Sequence, residues 1–246
     1  MIRLVTATDL STLSAPEGCR NWVIAADPAV EIFGHAISVD LDRWNTALAD
    51  RGLGGGPVTG IAGDSSIVDS GNCRITRGHV FDLAGGGADD PDTALRLLWH
   101  TLAWGSGSSH RKNHLRMDSI AADPEVATQA LMEAARLSVD QPVEAYERLA
   151  PEGKAVIHQL GPAFFTKYLY FAGRGDAMHP CLILDARVAG QLIDIGWKSM
   201  HTRGGWLSLT YSRYLDLIWR WQSELAADAS GTKPRADLIE RWLFGR

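Results

Sequence analysis

The chain has 246 residues, of which 46% are hydrophobic and 22% charged, and its net charge is −5. Its apolar runs are shorter than the ~18 residues of a membrane-spanning helix, and its composition excludes transmembrane, collagenous and disordered classes of protein. The length allows one substantial domain, or two small helical subdomains that share a cleft. The N-terminal segment has no basic patch followed by an apolar stretch, so we expect no secretory signal and a cytoplasmic protein.

Residues 1–92 are predicted to form an acidic N-terminal region with short strands and Gly-rich loops. They carry 13 acidic and 6 basic residues, so most of the negative charge lies in this first third. NWVIAA (21–26) and HVFDLA (79–84) are short apolar segments among Gly-rich turns, and both are candidate strands. No motif in this region indicates a function.

Residues 93–246 are predicted to form a helical domain. The segment 92–105 repeats leucine at helical spacing behind Asp92, a candidate cap, and Asp123-Pro124 begins another helix. The composition of the remaining segments predicts further helices at 141–150, 151–160, 162–173, 185–196, 208–226 and 235–245. These elements predict a mainly α-helical fold with a small irregular or β-structured N-terminal part.

A basic run, GSGSSHRKNHLRM (105–117), contains no acidic residue. Because the run is rich in Gly and Ser, we predict an exposed loop, in which Arg111 and Lys112 are candidates for contacting phosphate groups. The alternative is a solvated basic loop with no function.

No metal site or other cofactor site is predicted. Cys19, Cys73 and Cys181 are far apart, which fits neither a disulfide framework nor a clustered metal motif, and we expect them to be buried. His110 and His114 have helical spacing, but no third ligand is evident. The Gly-rich segments lack the Lys-Ser/Thr sequence of a phosphate-binding P-loop.

Two polar residues, Lys167 and Asp185, mark the most informative stretch of the sequence. A helix, a tight turn at Gly161, Pro162 and Ala163, and an amphipathic helix carrying Lys167 are followed by an apolar run and by Asp185 at the start of the next helix. A turn that exposes the N-terminus of a helix can bind a DNA phosphate without a large basic surplus. The turn is therefore a candidate DNA contact.

This stretch, with its hairpin at 157–173, resembles the helix-hairpin-helix DNA glycosylase superfamily, in which an aspartate follows the hairpin lysine at a similar distance. The segments LLWHTLAWGSG (97–107) and LGPAFFTKYLYFAG (160–173) resemble more narrowly its bacterial branch with an 8-oxoguanine DNA glycosylase (OGG) fold. The turn lacks the second glycine of the superfamily pattern, and the chain lacks the four-cysteine cluster found in some members.

The resemblance implies a two-subdomain fold with a cleft, and excision of an oxidised or otherwise modified base flipped out of double-stranded DNA. We expect a protein of the bacterial cytosol or nucleoid that acts without a membrane, and no obligatory protein partner is evident. Lys167 would form a Schiff base that permits β-elimination at the abasic (AP) site, and Asp185 would stabilise charge at the sugar. We expect Arg187 to contact DNA with the basic loop and the turn.

Aromatic side chains are expected to stack on the extruded base, because such pockets use aromatic faces. The candidates are Trp104, Phe165, Tyr211, Tyr214 and Trp219.

Several alternatives stay open at this point. Asp185 could activate water in a monofunctional glycosylase, or the chain could be a non-catalytic helix-hairpin-helix DNA-binding module. Taken singly, Asp185 is also a good helix cap, and Lys167 could be a surface lysine. The excised base, the oligomeric state, and a role in base excision repair or in defence against phage with modified DNA are not determined by the sequence.

Overall fold

A computed structural model of the protein describes residues 9–228 and 233–245. The fold is mainly α-helical with one small antiparallel sheet, which confirms the predicted fold class. Residues 1–8 of the predicted acidic region lie outside the described residues. Among the described helices, none is both long and apolar enough to cross a membrane.

The N-terminal region combines helices with the sheet. In chain order its elements are α1 (Glu17–Ala25), a π-helical turn (Ala29–Phe33), β1 (Ala36–Asp40), α2 (Leu41–Ala49), β2 (Gly60–Ile61), β3 (Ile67–Val68), β4 (Asn72–Thr76) and α3 (Arg77–Leu83). The strand order is β1-β4-β2-β3, and neighbouring strands are antiparallel. Ala36 pairs with Thr76 and Asp40 with Asn72, so β4 holds β1 along its whole length.

Both strands predicted in this region are wrong, because their residues are helical. NWVIAA falls almost entirely in α1, whose Cys19 and Val23 are buried one helical turn apart. HVFDLA falls almost entirely in α3, where the side chain of Thr76 accepts a hydrogen bond from the backbone N–H of His79. A helix cap and a buried helical stripe therefore outweigh the β-propensity of these apolar residues.

The rest of the described chain is helical. Its helices are α4 (Pro91–Ser106), α5 (Asn113–Ala122), α6 (Pro124–Leu137), α7 (Pro142–Leu149), α8 (Pro162–Ala172), α9 (Ala186–Ile195), α10 (Ser208–Asp228) and α11 (Ala236–Phe244). The predictions of α4 and of α6 to α11 are confirmed. Asp185 caps α9 as predicted, and α6 begins at Pro124 as predicted, with Asp123 as its cap. Helix α4 is capped by Asp90 and not by Asp92.

The predicted helix at 151–160 is wrong. A 3-10 turn (Pro151–Gly153) is followed by an irregular segment up to α8. Glu152 has φ 50° and Gln159 has φ 64°, and these left-handed conformations interrupt helical hydrogen bonding. The hairpin at 157–173 therefore has an irregular first arm and a helical second arm, α8.

Helix α5 holds this irregular arm in place. The prediction of a loop throughout the basic run is corrected here, because α5 begins inside the run, at Asn113. From α5, the Nε of Arg116 donates to the backbone oxygen of Gln159 at 2.8 Å, and the Oγ of Ser119 accepts from the backbone N–H of His158 at 2.9 Å. Side chains of α5 thus supply the hydrogen bonds that a first helix would have made internally.

The core is centred on α4, which is buried on nearly all sides and contacts α3, α6, α8 and the sheet. A helix that is apolar around its whole circumference must be covered in this way. One buried hydrophobic cluster includes residues of both the N-terminal region and the later helices. The three cysteines are buried and unpaired, as predicted.

A buried ion pair joins the N-terminal region to the last helix. Arg77 at the start of α3 and Glu240 in α11 are both 0% exposed, and Arg77 Nη1 lies 2.9 Å from Glu240 Oε2. The same Nη1 lies 3.1 Å from the hydroxyl of Tyr170 in α8, which in turn donates to Asp237 Oδ2 at 2.9 Å. These bonds couple α3, α8 and α11.

Two buried histidines share a network behind the sheet. His79 and His100 each lie 3.1 Å from the hydroxyl of Thr59. The backbone N–H of Thr59 donates to His100 Nε2 at 2.9 Å, so the neutral ring carries its proton on Nδ1, 2.7 Å from the backbone oxygen of Arg96. Burial is the largest cause that lowers the pKa of His100, to about 4. His100 is therefore neutral at neutral pH.

We expect acid to destabilise the protein partly through His100. Because its pKa is about 4 when folded and about 6.5 when unfolded, the unfolded chain binds a proton in this pH window that the folded chain does not. The free energy of unfolding should fall by on the order of 3 kcal/mol as pH drops through the window. His100→Gln keeps an acceptor for Thr59 but cannot titrate, so urea unfolding should show a smaller difference between about pH 7.5 and about pH 5.

The control for this experiment is the exposed His158→Gln, which should keep the pH dependence of the wild type. An unchanged dependence in His100→Gln would contradict the assignment.

Arg77→Met should lower the free energy of unfolding by about 3–5 kcal/mol, because it leaves the Glu240 carboxylate buried without its partner. The double variant Arg77→Met/Glu240→Gln should recover part of this loss in urea unfolding. As a control, Arg51→Met removes the exposed pair with Asp118 and should cost less than about 1 kcal/mol. If the double variant lost as much free energy of unfolding as Arg77→Met and Glu240→Gln lose when their separate losses are added, the two buried charges would not be coupled.

Candidate active site

Lys167 and Asp185 form an ion pair at the edge of a cleft. Lys167 Nζ lies 2.8 Å from Asp185 Oδ2. The two residues are 5% and 9% exposed, so the pair is largely shielded from water. The fold therefore brings the two predicted catalytic residues into direct contact.

The position of Lys167 follows from the geometry of α8. Its Nζ also donates to the backbone oxygen of Ala163, one turn earlier, at 2.8 Å. The side chain thus runs back toward the start of its own helix, as long side chains on helices do. Gly105 of α4 leaves room for it, since a Cβ at that position would lie 3.2 Å from Lys167 Cδ.

Asp185 has two structural roles at once. Its Oδ1 accepts from the backbone N–H groups of Arg187 and Val188, at 3.0 and 3.2 Å, at the start of α9, while Oδ2 contacts Lys167. Burial by itself raises the pKa of the carboxyl, but the charge of Lys167 and these hydrogen bonds outweigh it and hold the pKa below its usual value. Asp185 is therefore a carboxylate in the resting protein.

The extended segment before Asp185 is held by two residues that were predicted to lie in a base pocket. The hydroxyl of Tyr211 donates to the backbone oxygen of Leu182 at 3.0 Å and accepts from its N–H at 3.2 Å. The hydroxyl of Tyr214 donates to the backbone oxygen of Ile183 at 2.9 Å. This corrects the base-pocket prediction for both tyrosines, which are buried in the core because their hydroxyls pair backbone groups there.

Phe165 and Trp219 also lie away from the cleft, which corrects the prediction for them. Phe165 is fully buried and packs edge-on against Tyr146, with ring centroids 4.6 Å apart. Trp219 is 38% exposed on α10 and does not line the cleft. Of the five predicted aromatic residues, Trp104 is the one that lines it.

The cleft over the ion pair has a volume of about 540 Å³. Small-molecule pockets span roughly 300–1,000 Å³, so the cleft has the size of a ligand-binding site. Its lining comes from the start of α8 and α9, the end of α4, the loop that follows α4, the segment around β1, and the end of α11. Residues from these parts include His35, Ile37, Trp104, Gly105, Ser106, Gly107, Arg111, Ala163, Phe164, Ala186, Arg187 and Phe244.

Two of the three predicted DNA-contacting cations lie at the cleft. Arg111 and Arg187 are exposed and line it, and the guanidinium of Arg187 lies 5.0 Å from the ring centroid of Phe244. Lys112 is exposed outside the lining, with its Nζ 3.2 Å from Gln159 Oε1 on the irregular arm. The structure thus places Lys112 beside the hairpin turn rather than at the cleft.

The predicted turn forms the start of α8. Gly161 is the N-cap residue, without a side-chain cap, and Pro162 occupies the first helical position, where it is buried. Because proline has no N–H, Ala163 carries the first N–H group of the helix, and Ala163 also lines the cleft.

Several cleft residues were not predicted as site residues. His35 and Ile37 come from around β1, and Phe244 ends α11. The guanidinium of Arg116 stacks on the ring of Phe164, 4.0 Å from its centroid. A periodicity argument cannot find such residues, because segments from opposite ends of the chain meet only after folding.

Comparison with known proteins agrees with the resemblance of the hairpin region. A family model described as "Putative 8-oxoguanine DNA glycosylase OGG-like protein" matches residues 30–244. Neither the curated proteins nor the solved structures contain a match. The matched range contains the cleft, its ion pair and the segments around β1 and α11 that close it. The chain belongs to the OGG-like family of DNA glycosylases.

Proposed function

We propose that this protein is a bifunctional DNA glycosylase, which excises a modified base from double-stranded DNA and then cleaves the strand as an AP lyase. The observation that carries the proposal is the 2.8 Å contact between Lys167 Nζ and Asp185 Oδ2 at the edge of the cleft. The proposed reaction needs an amine that can attack C1′ of the sugar and a carboxylate that can stabilise positive charge there. Lys167 and Asp185 supply these two groups side by side. The family supports DNA as the substrate.

The proposed reaction takes place at C1′ of a nucleotide flipped out of the duplex. As the C1′–N bond breaks, its electron pair leaves with the base, and the Asp185 carboxylate stabilises the positive charge on the sugar. The Lys167 ammonium passes a proton to the departing base or to solvent, and the resulting neutral amine forms a bond to C1′. The nitrogen then loses a second proton to solvent. Opening of the sugar ring gives a Schiff base, and loss of a C2′ proton expels the 3′ phosphate.

The resting ion pair is suited to this sequence of events. A buried ammonium without a partner would be strongly unfavourable, and Asp185 removes that penalty before substrate arrives. When positive charge develops on the sugar, this charge takes the place of the Lys167 ammonium as the cationic partner of Asp185. The carboxylate is thus complementary to the charged transition state more than to the neutral substrate.

The surroundings of the cleft support DNA as the partner despite the net charge of −5. Arg111 and Arg187 are exposed at the cleft, and Ala163, which carries the first N–H of α8, also lines it. Arginine side chains and helix N-termini are common phosphate contacts. We assign phosphate binding on either side of the flipped nucleotide to these three groups.

The monofunctional alternative would have Asp185 activate a water molecule. A carboxyl with a lowered pKa is a weak base, and the oxygens of Asp185 are already bonded to Lys167 and to the start of α9. These facts favour Lys167 as the nucleophile. In the non-catalytic alternative, DNA binds but no base is ever released.

Borohydride should trap wild-type protein covalently on duplex DNA that contains an abasic site, because it reduces the Schiff base to a stable amine. Lys167→Ala should abolish the adduct, and electrophoresis under denaturing conditions measures it. The matched control is Lys198→Ala, which removes an exposed lysine and should leave trapping unchanged.

The same assay with duplexes containing 8-oxoguanine or a modified cytosine identifies the base. Release of base without an adduct would support the water mechanism instead. Binding without release or adduct on any duplex would favour the DNA-binding module.

Asp185→Asn should slow base release by about 100-fold or more, because the amide keeps a cap acceptor for α9 but carries no negative charge. Affinity for duplex DNA, measured by fluorescence anisotropy, should change much less than the rate. Asp194→Asn, which changes an exposed acid on the same helix, is the control and should behave as wild type. A loss of rate fully matched by a loss of affinity would argue against a role at the sugar.

A further inference from the structure

His35 lies in the wall of the cleft, immediately before β1. Its half-buried ring has its centroid 5.2 Å from that of Trp104 and 5.8 Å from that of Phe244. Its backbone oxygen accepts from Trp104 Nε1 at 3.3 Å and from the backbone N–H of Arg77 at 3.0 Å. The backbone of His35 is therefore fixed on both α4 and α3, while its side chain lines the cleft.

One nitrogen of this ring is unsatisfied. His35 Nδ1 is buried and has no hydrogen-bond partner within residues 9–228 and 233–245. By contrast, the core residues His79 and His100 both hydrogen-bond to Thr59. His110 also has an unpartnered nitrogen, but it does not line the cleft. The enclosed Nδ1 of His35 therefore gives the ring no hydrogen bond to the described residues, and the ring is held by its contacts with Trp104 and Phe244.

His35 is neutral in this environment. Burial, followed by the positive charges of Arg77 and Arg241, lowers its pKa to about 3. The ring therefore cannot donate a proton as a general acid near neutral pH. A neutral imidazole still has one donor and one acceptor nitrogen. Because Nδ1 is enclosed, Nε2 is the nitrogen that can contact a molecule in the cleft.

We propose that His35 is a specificity-determining residue, which recognises the extruded base through one hydrogen bond at Nε2. This inference rests on the glycosylase function proposed above. Lys167 and Asp185 act at the sugar, which is the same whatever base it carries. His35 comes from the segment before β1, lines the same cleft as the pair, and offers a hydrogen-bonding nitrogen for the polar edge of the base itself. Its ligand is therefore a base with a hydrogen-bonding edge, not an abasic sugar.

The test compares DNA with and without a base. Fluorescence anisotropy gives the affinity for three matched duplexes, which carry 8-oxoguanine, 5-hydroxymethylcytosine or the abasic analogue tetrahydrofuran at one position. His35→Leu keeps apolar bulk and removes the hydrogen bond, whereas His35→Gln places an amide near the position of Nε2. Binding of the tetrahydrofuran duplex also reports whether each variant is correctly folded.

His35→Leu should weaken binding of at least one base-containing duplex by about tenfold, the loss expected for one hydrogen bond, and leave the tetrahydrofuran duplex unaffected. His35→Gln should restore the affinity to within about threefold of wild type. An equal loss on all three duplexes would show a structural role and overturn the proposal. Unchanged affinity for both base-containing duplexes would overturn it as well.

Failure of this inference is distinguishable from failure of the proposed function. Borohydride trapping on a natural abasic site depends on Lys167, and there is no base for His35 to contact. A wild-type protein that forms no adduct refutes the lyase proposal. A wild-type protein that forms the adduct, combined with His35 variants that bind every duplex like wild type, refutes the role of His35 alone.

Discussion

The ion pair between Arg77 and Glu240 is the interaction on which the site most depends. Both groups are fully buried, and separating such a pair leaves an uncompensated charge in the core. The pair links α3 to α11, and the Tyr170 hydroxyl adds α8. The guanidinium of Arg77 also lies 5.1 Å from the ring centroid of Trp104, which lines the cleft. The buried pair therefore joins α3, α8 and α11, of which α8 and α11 line the cleft. Burial is the main cause that lowers the pKa of His35 in the cleft wall, and the charge of Arg77 adds to it.

The second constraint is the shared use of the Asp185 carboxylate. One oxygen caps α9 and the other contacts Lys167, so the start of one helix and a side chain of another are tied to a single group. Tyr211 and Tyr214 hold the extended segment that leads to it. These two tyrosines, which the sequence analysis predicted to stack on the base, are instead buried in the core, where they hold the segment that carries the Asp185 carboxylate. Hydrogen bonds to both of its oxygens hold the Asp185 carboxylate in place, as its proposed role at the sugar would need.

The N-terminal region, for which the sequence indicates no role, supplies one wall of the cleft. His35 and Ile37 reach it because β4 pairs with β1 along its full length and α4 packs against both strands. The irregular arm held by Arg116 leads into α8, whose Lys167 also lines the cleft. The hydrogen bonds from α5 satisfy backbone groups of His158 and Gln159 in the first arm of the hairpin, which is not helical. The cleft is therefore composite, because its lining comes both from the N-terminal region and from the later helices.

The sequence by itself determined the helical class, most helix boundaries from α4 onward, the cap at Asp185 and the pairing of Lys167 with Asp185 as candidates. These features follow from local periodicity, capping chemistry and a motif within a short stretch of chain. It could not determine that NWVIAA and HVFDLA are helical, because burial of a helical stripe and a helix cap outweigh local preference in those segments. Nor could it determine that residues 154–161 are irregular, because side chains of α5 hydrogen-bond to the backbone of that segment. Tertiary structure alone decided which aromatic residues line the cleft and brought His35 next to Phe244, since residues at opposite ends of the chain become neighbours only when the buried core forms.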